Sequence, residues 1–111
     1  MNSRSESDIQ AEILSALHAV GLTAFRIPAG TFKRGSRYIK SGNKGWPDII
    51  VLGPPTGRMI GLEVKREEGG LVGEAQVVMK AVFEASGAAY EFVRSVDETR
   101  EALRKHGIII G

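Results

Sequence analysis

Cysteine is absent from the chain. That excludes disulfides, thiolate metal sites and cysteine nucleophiles, and it makes a reducing, cytoplasmic setting the expected one. Aromatic residues are sparse at 6%, with a single tryptophan, Trp46. No apolar run approaches the roughly 20 residues that a membrane-crossing helix needs. Met1 to Gln10 is polar and mixed in charge, so no signal peptide is expected either. No glycine-rich loop of the Walker type is present. His18 falls within a predicted helix and His106 near the end of another, and neither is placed like a metal ligand. Acidic residues are missing altogether between Glu12 and Asp48, a stretch that carries six positive charges: Arg26, Lys33, Arg34, Arg37, Lys40 and Lys44.

A glycine-rich block with cations and no anions is either a solvated loop or a surface for polyanions. At 111 residues the chain is expected to be a single domain, 1–111. A helix is predicted from about Ser5 to Val20, with Ile9, Ile13, Leu17 and Val20 at helical spacing. Strands are predicted over Leu22–Ile27, Asp48–Leu52 and Arg58–Val64, with a loop from Ala29 to Lys44 that holds at most a short strand at Tyr38–Lys40. Gly53-Pro54-Pro55-Thr56-Gly57 reads as a turn. A second helix follows over Glu74–Ser86, with Val78, Val82 and Ala85 on one face, then a strand over Ala89–Val93 and a helix over Ser95–Lys105. Ile108–Ile110 has the composition of a short final strand or a dimer contact. The order αβββαβα implies an α/β fold, a mixed central β-sheet flanked by helices. The two middle strands are apolar on both faces, so both sides of the sheet should be covered.

Charged residues punctuate those middle strands. Asp48 opens Ile49-Ile50-Val51-Leu52, and Glu63 and Lys65 close Met59-Ile60-Gly61-Leu62. If the turn is centred between Pro55 and Thr56, Asp48 lies directly opposite Glu63. Side-chain roots at such positions are about 5 Å apart. Two carboxylates that close repel unless a cation lies between them, and carboxylate oxygens suit magnesium. Lys65 projects from the same face as Glu63, where an ammonium can orient an attacking water or stabilise charge on a phosphate. Each residue alone also has a structural reading: Asp48 as a strand-entry residue, Glu63 paired with Lys65 or Arg66. Glu6 projects near the apolar stripe of the first helix, but Ser3 and Glu6 also have the spacing of a capping box. Gln76, at the start of the second helix, either meets the site or is exposed. Trp46 either packs in the core or stacks on a base, and packing is the commoner fate of tryptophan.

Pro47-Asp48, fourteen intervening residues and Glu63-Val64-Lys65 resemble the signature of the PD-(D/E)XK nucleases. Ser5 to Gln10, Phe25-Arg26, the basic block, Gly45-Trp46-Pro47-Asp48, Gln76 and Ser95 to Glu98 extend the resemblance to the VRR-NUC family, the virus-type replication-repair nucleases, over nearly the whole chain. The second helix departs from that family's usual Ser-Pro-like start, with Val72-Gly73-Glu74 instead. The resemblance implies a restriction-endonuclease-like fold and an endodeoxyribonuclease. Asp48, Glu63 and the backbone carbonyl of Val64 would hold Mg2+ or Mn2+, Glu6 would contribute through water, Lys65 would serve the attacking water, and Gln76 would be the motif glutamine. It further implies a homodimer acting on branched DNA such as four-way junctions. Arg26, Lys33, Arg34, Arg37, Lys40 and Lys44 would contact DNA. The competing expectations are a non-catalytic nucleic-acid-binding module on the same fold, and a small-molecule phosphoesterase or structural partner protein.

Overall fold

The first helix, α1, runs Glu6–Ala19 in the computed structural model, which describes residues 4–28, 31–40 and 44–110, and of 31–34 and 37–40 the backbone alone. Its cap is Ser5. The Ser5 hydroxyl accepts from the Asp8 amide, and the Asp8 carboxylate accepts from the Ser5 amide. The expected box from Ser3 to Glu6 is therefore displaced by two residues, and Ser3 lies outside the described residues. The shift matters because it frees the Glu6 carboxylate from capping. Ile9, Ile13 and Leu17 are buried along one face, while Val20 is left half-exposed at the helix end.

Strand β1, Thr23–Arg26, is followed by a hairpin of β2, Thr31–Arg34, and β3, Arg37–Lys40. This corrects the expected loop. Arg34 pairs with Arg37 and Lys33 with Tyr38 around the two-residue turn Gly35-Ser36, where Gly35 takes a positive φ of 65° that glycine adopts without strain. Strands β4, Ile49–Gly53, and β5, Arg58–Val64, pair antiparallel in the expected register, with Gly53 facing Arg58 and Leu52 facing Met59. Helix α2, Glu74–Ala85, carries the chain to β6, Ala89–Val93, which lies parallel to β5. Helix α3, Val96–Lys105, opens on Ser95, whose hydroxyl accepts from the Glu98 amide. Ile108–Ile110 forms no strand: Ile108 is buried in the core, and Ile109 faces solvent.

The main sheet has the order β1-β4-β5-β6, and β2-β3 forms a sheet of its own. One face of the main sheet carries Ile49, Val51, Ile60, Leu62, Val64, Ala89 and Val93, and packs with α1 and α3 into the larger core. The opposite face builds a smaller core from Ile50, Phe83 and Tyr90. Here α2 is the cover, and it buries Phe83 rather than the predicted valine stripe: Val78 and Val82 are 57% and 50% exposed. The helix turns its Gln76, Met79, Lys80 and Phe83 side toward the sheet, because the sheet beneath it presents carboxylates as well as apolar groups. Over β1 and β4 that face is barely covered, and Phe25, Leu52 and Met59 are each more than a third exposed.

Candidate active site

Everything around Asp48 is arranged to hold it. Gly45 has a φ of 81°, and a Cβ there would stand 2.4 Å from the Ala75 carbonyl oxygen, so only glycine lets this turn lie against α2. Its carbonyl accepts from the buried Tyr90 hydroxyl at 2.8 Å. Trp46 meets Phe83 edge to face with centroids 5.6 Å apart but stays 39% exposed, so it packs at the rim of the smaller core and does not fill it. Pro47 fills the space over Gly61, where a Cβ would come within 2.6 Å of the proline ring. Asp48 emerges next, half-buried, and its Oδ2 accepts from the Val64 amide at 2.8 Å.

The register puts Asp48 and Glu63 on the same sheet face, opposite each other. Glu63 is buried. Its Oε2 accepts from Gln76 Nε2 at 2.6 Å and lies 3.6 Å from Lys65 Nζ. Lys65 is buried too, and its amide donates to the Val93 carbonyl at 2.9 Å. The structural pairing of Glu63 with Lys65 and their shared placement beside Asp48 therefore coexist. Gln76 serves two ends at once: its Oε1 accepts from the Gly73 amide at 2.8 Å, completing the α2 start, while its Nε2 grips Glu63. Glycine at the cap supplies no side-chain bond of its own.

Among the described residues, Glu63 Oε1 is buried and has no hydrogen-bond partner. An orphaned carboxylate oxygen is costly in a protein interior unless something positive satisfies it. Burial and the neighbouring Asp48 push the Glu63 carboxyl up to about 8. Asp48 is also raised, first by burial and further by Glu6, against the lowering effect of the Val64 amide and Lys65. Without a cation, then, the pair is reluctant to carry two negative charges. A cation between the two carboxylates would favour the ionised form of both. Glu6, half-buried at the first position of α1, is close enough to act on Asp48. Among the described residues no three His, Asp or Glu side chains converge into a full cage, so an ion here needs ligands besides these carboxylates.

Of the expected site residues, the fold brings Glu6, Asp48, Glu63, Lys65 and Gln76 to one end of β4 and β5. For Val64 the contact it shows is through its amide. Arg26 ends β1 and is exposed; Lys44 lies in the turn before Asp48, also exposed. Lys33, Arg34, Arg37 and Lys40 are spread over the hairpin, and their side chains lie outside the described residues. His18 and His106 are structural, as expected: one contacts the Ala24 carbonyl at 2.8 Å and the other Glu91 at 2.8 Å.

Two contributors have no signal in the sequence pattern. Tyr90 braces the Gly45 turn from β6, and burial together with the two carboxylates raises its pKa. Arg94 donates to the Arg66 carbonyl and, at 3.2 Å, to the Gly70 carbonyl, clamping the loop that joins Lys65 to Gln76. Both act across long sequence separations, where local pattern carries no information.

A solved structure described as "VRR_NUC domain" superposes on this chain with a TM-score of 0.63, covering 89% of this chain and 94% of the other at 21% identity. The chain has the VRR_NUC fold. No protein-family model matches the chain, and no curated protein does. The α1, β4–β5 hairpin, α2 and β6 that carry the site are thus parts of a VRR_NUC-type architecture, a mixed sheet flanked by helices.

Proposed function

We propose that residues 1–111 form a single VRR-NUC-type domain that hydrolyses DNA phosphodiester bonds with the aid of Mg2+ or Mn2+, acting as an endonuclease on branched DNA such as four-way junctions. The observation that carries the reading is the buried, unpartnered Oε1 of Glu63 opposite Asp48, with Lys65 alongside. Two hard oxygen donors and no sulfur or histidine suit a hard cation. Asp48 and Glu63 would hold it, with the Val64 carbonyl and, through water, Glu6 as further ligands. The ion, when bound, supplies positive charge that favours attack on a phosphodiester.

The protein's own groups account for the rest. The Val64 amide fixes the Asp48 carboxylate, and Gln76 fixes Glu63 through Oε2, leaving Oε1 for the ion. Lys65 orients the incoming water and offers charge to the phosphate as a P–O bond to that water forms and an ester P–O bond breaks. Arg26, Lys44 and the hairpin cations grip phosphates without reading bases. A homodimer suits a nearly symmetric junction because a two-fold axis presents two sites. The apolar strip of Phe25, Leu52 and Met59 supports a self-complementary contact. A cysteine-free chain with no helix long and apolar enough to cross a membrane, among the described residues, suits work on DNA in a reducing cytoplasm.

The test is a cleavage panel of single-stranded, duplex, flap and four-way-junction DNA, each with Mn2+, Mg2+ or chelator. Metal-dependent cutting of the junction is expected, with Lys65→Ala lowering the rate by roughly a hundredfold or more, the scale of a lost charge-stabilising group. Binding without cutting in either metal would overturn the enzyme reading and leave a nucleic-acid-binding module.

A further inference from the structure

A groove of about 790 Å³ opens beside the carboxylate site and runs past the start of α2. Its lining mixes two chemistries: Lys44, Lys65 and Gln76 on the one hand, and the aliphatic side chains of Leu71, Val78 and Met79 on the other, of which Met79 also packs against the smaller core. Leu71 is 83% exposed and Val78 57%, which is unusual for large aliphatic side chains that line a concavity. Among the described residues one carboxylate, Glu74, also lines the groove beside Lys44 and Lys65, the latter 3.6 Å from Glu63 Oε2.

An exposed aliphatic side chain reaches a base face of duplex DNA only by unstacking a step, at a cost in free energy, whereas a strand of unpaired bases offers its base faces to the aliphatics and its phosphates to the cations without that cost. We infer that this groove holds unpaired nucleotides of the DNA, with Leu71 and Val78 contacting base faces and Lys44 and Lys65 facing the backbone. The inference rests on the nuclease reading for the direction in which the strand meets Asp48 and Glu63, but its own content is a preference for unpaired over paired DNA. The backbone permits it. Leu71 lies between the loop end that Arg94 clamps at Gly70 and the Gly73 cap, a held position from which a side chain can enter a base step.

The experiment measures binding in chelator, so it does not depend on cleavage. Leu71→Ser with Val78→Ser replaces two exposed side chains and leaves the folded core untouched. Fluorescence anisotropy against oligo-dT and against a blunt duplex is expected to show roughly a fivefold or greater loss for oligo-dT and little change for the duplex. Because the chain has no cysteine, Leu71→Cys provides a single attachment point for an environment-sensitive fluorophore. Its emission is expected to change on adding oligo-dT and not on adding duplex. Equal losses for both DNAs, no loss for either, or a label that responds to protein concentration rather than DNA would overturn the inference, the last by assigning this face to a second copy. Failure of the cleavage panel with this binding pattern intact would instead overturn the enzyme reading alone.

Discussion

At the scale of the residue, Glu63 is buried, held by Gln76 and set beside Lys65 and Asp48. Its carboxyl is raised from 4.5 to about 8 by burial and by Asp48. A group whose folded pKa is raised contributes stability that is complete below the unfolded value and is lost as pH rises through the folded value. In chelator the melting temperature should therefore fall between pH of about 4.5 and about 8, and Glu63→Gln, which keeps the shape and cannot ionise, should flatten that slope. Mn2+ should reverse the sign, since it binds the ionised pair and stabilises the folded state by mass action. Identical pH slopes in wild type and variant, measured by thermal melts, would show that Glu63 is not the titrating group. Glu6 shows how one residue's role depends on its neighbours: because Ser5 and Asp8 make the cap, its carboxylate is available to act on Asp48.

At the scale of the element, the β4–β5 hairpin was readable because two apolar runs flank a turn-forming pentapeptide, which fixes the register, and the register fixes which carboxylates meet. The β2–β3 hairpin was not, because its cations and glycines look like loop whichever way the backbone runs. Helix α2 misled for a different reason. Its valines face outward, and the side that meets the sheet carries Gln76 and Lys80, which a search for apolar periodicity discounts. The braces from Tyr90 and Arg94 depend on distant strands and leave no local trace. The hairpin lends itself to a direct test. Arg34 and Arg37 stand at paired positions of the hairpin, two of its cationic residues. Changing Lys33, Arg34 and Arg37 to alanine should lower the slope of log affinity against log salt by about 2 to 3 if each cation neutralises one phosphate. An unchanged slope, with folding intact by circular dichroism, would remove the hairpin from the DNA contact.

At the scale of the whole molecule, the sheet is asymmetrically dressed. One face is sealed by α1 and α3, and the other is shielded by α2 over only part of its width, so Phe25, Leu52 and Met59 remain open to solvent. Apolar strips of this kind are typical of protein contacts. Sedimentation should give twice the chain mass at micromolar concentration, and Phe25→Ser with Met59→Ser should halve it. A monomeric wild type, or a variant that still dimerises, would move the contact elsewhere or abolish it.

Gln76 joins these scales. One amide group holds the Glu63 carboxylate with its nitrogen and the first turn of α2 with its oxygen. The winding of that turn and the state of the carboxylate are thereby the two ends of a single lever. A change of charge at Glu63 is expected to be felt at the helix start, and fraying of that start to loosen Glu63. The backbone amide of Gly73, joined to Glu63 through the one side chain of Gln76, becomes a natural place from which to watch the state of that carboxylate.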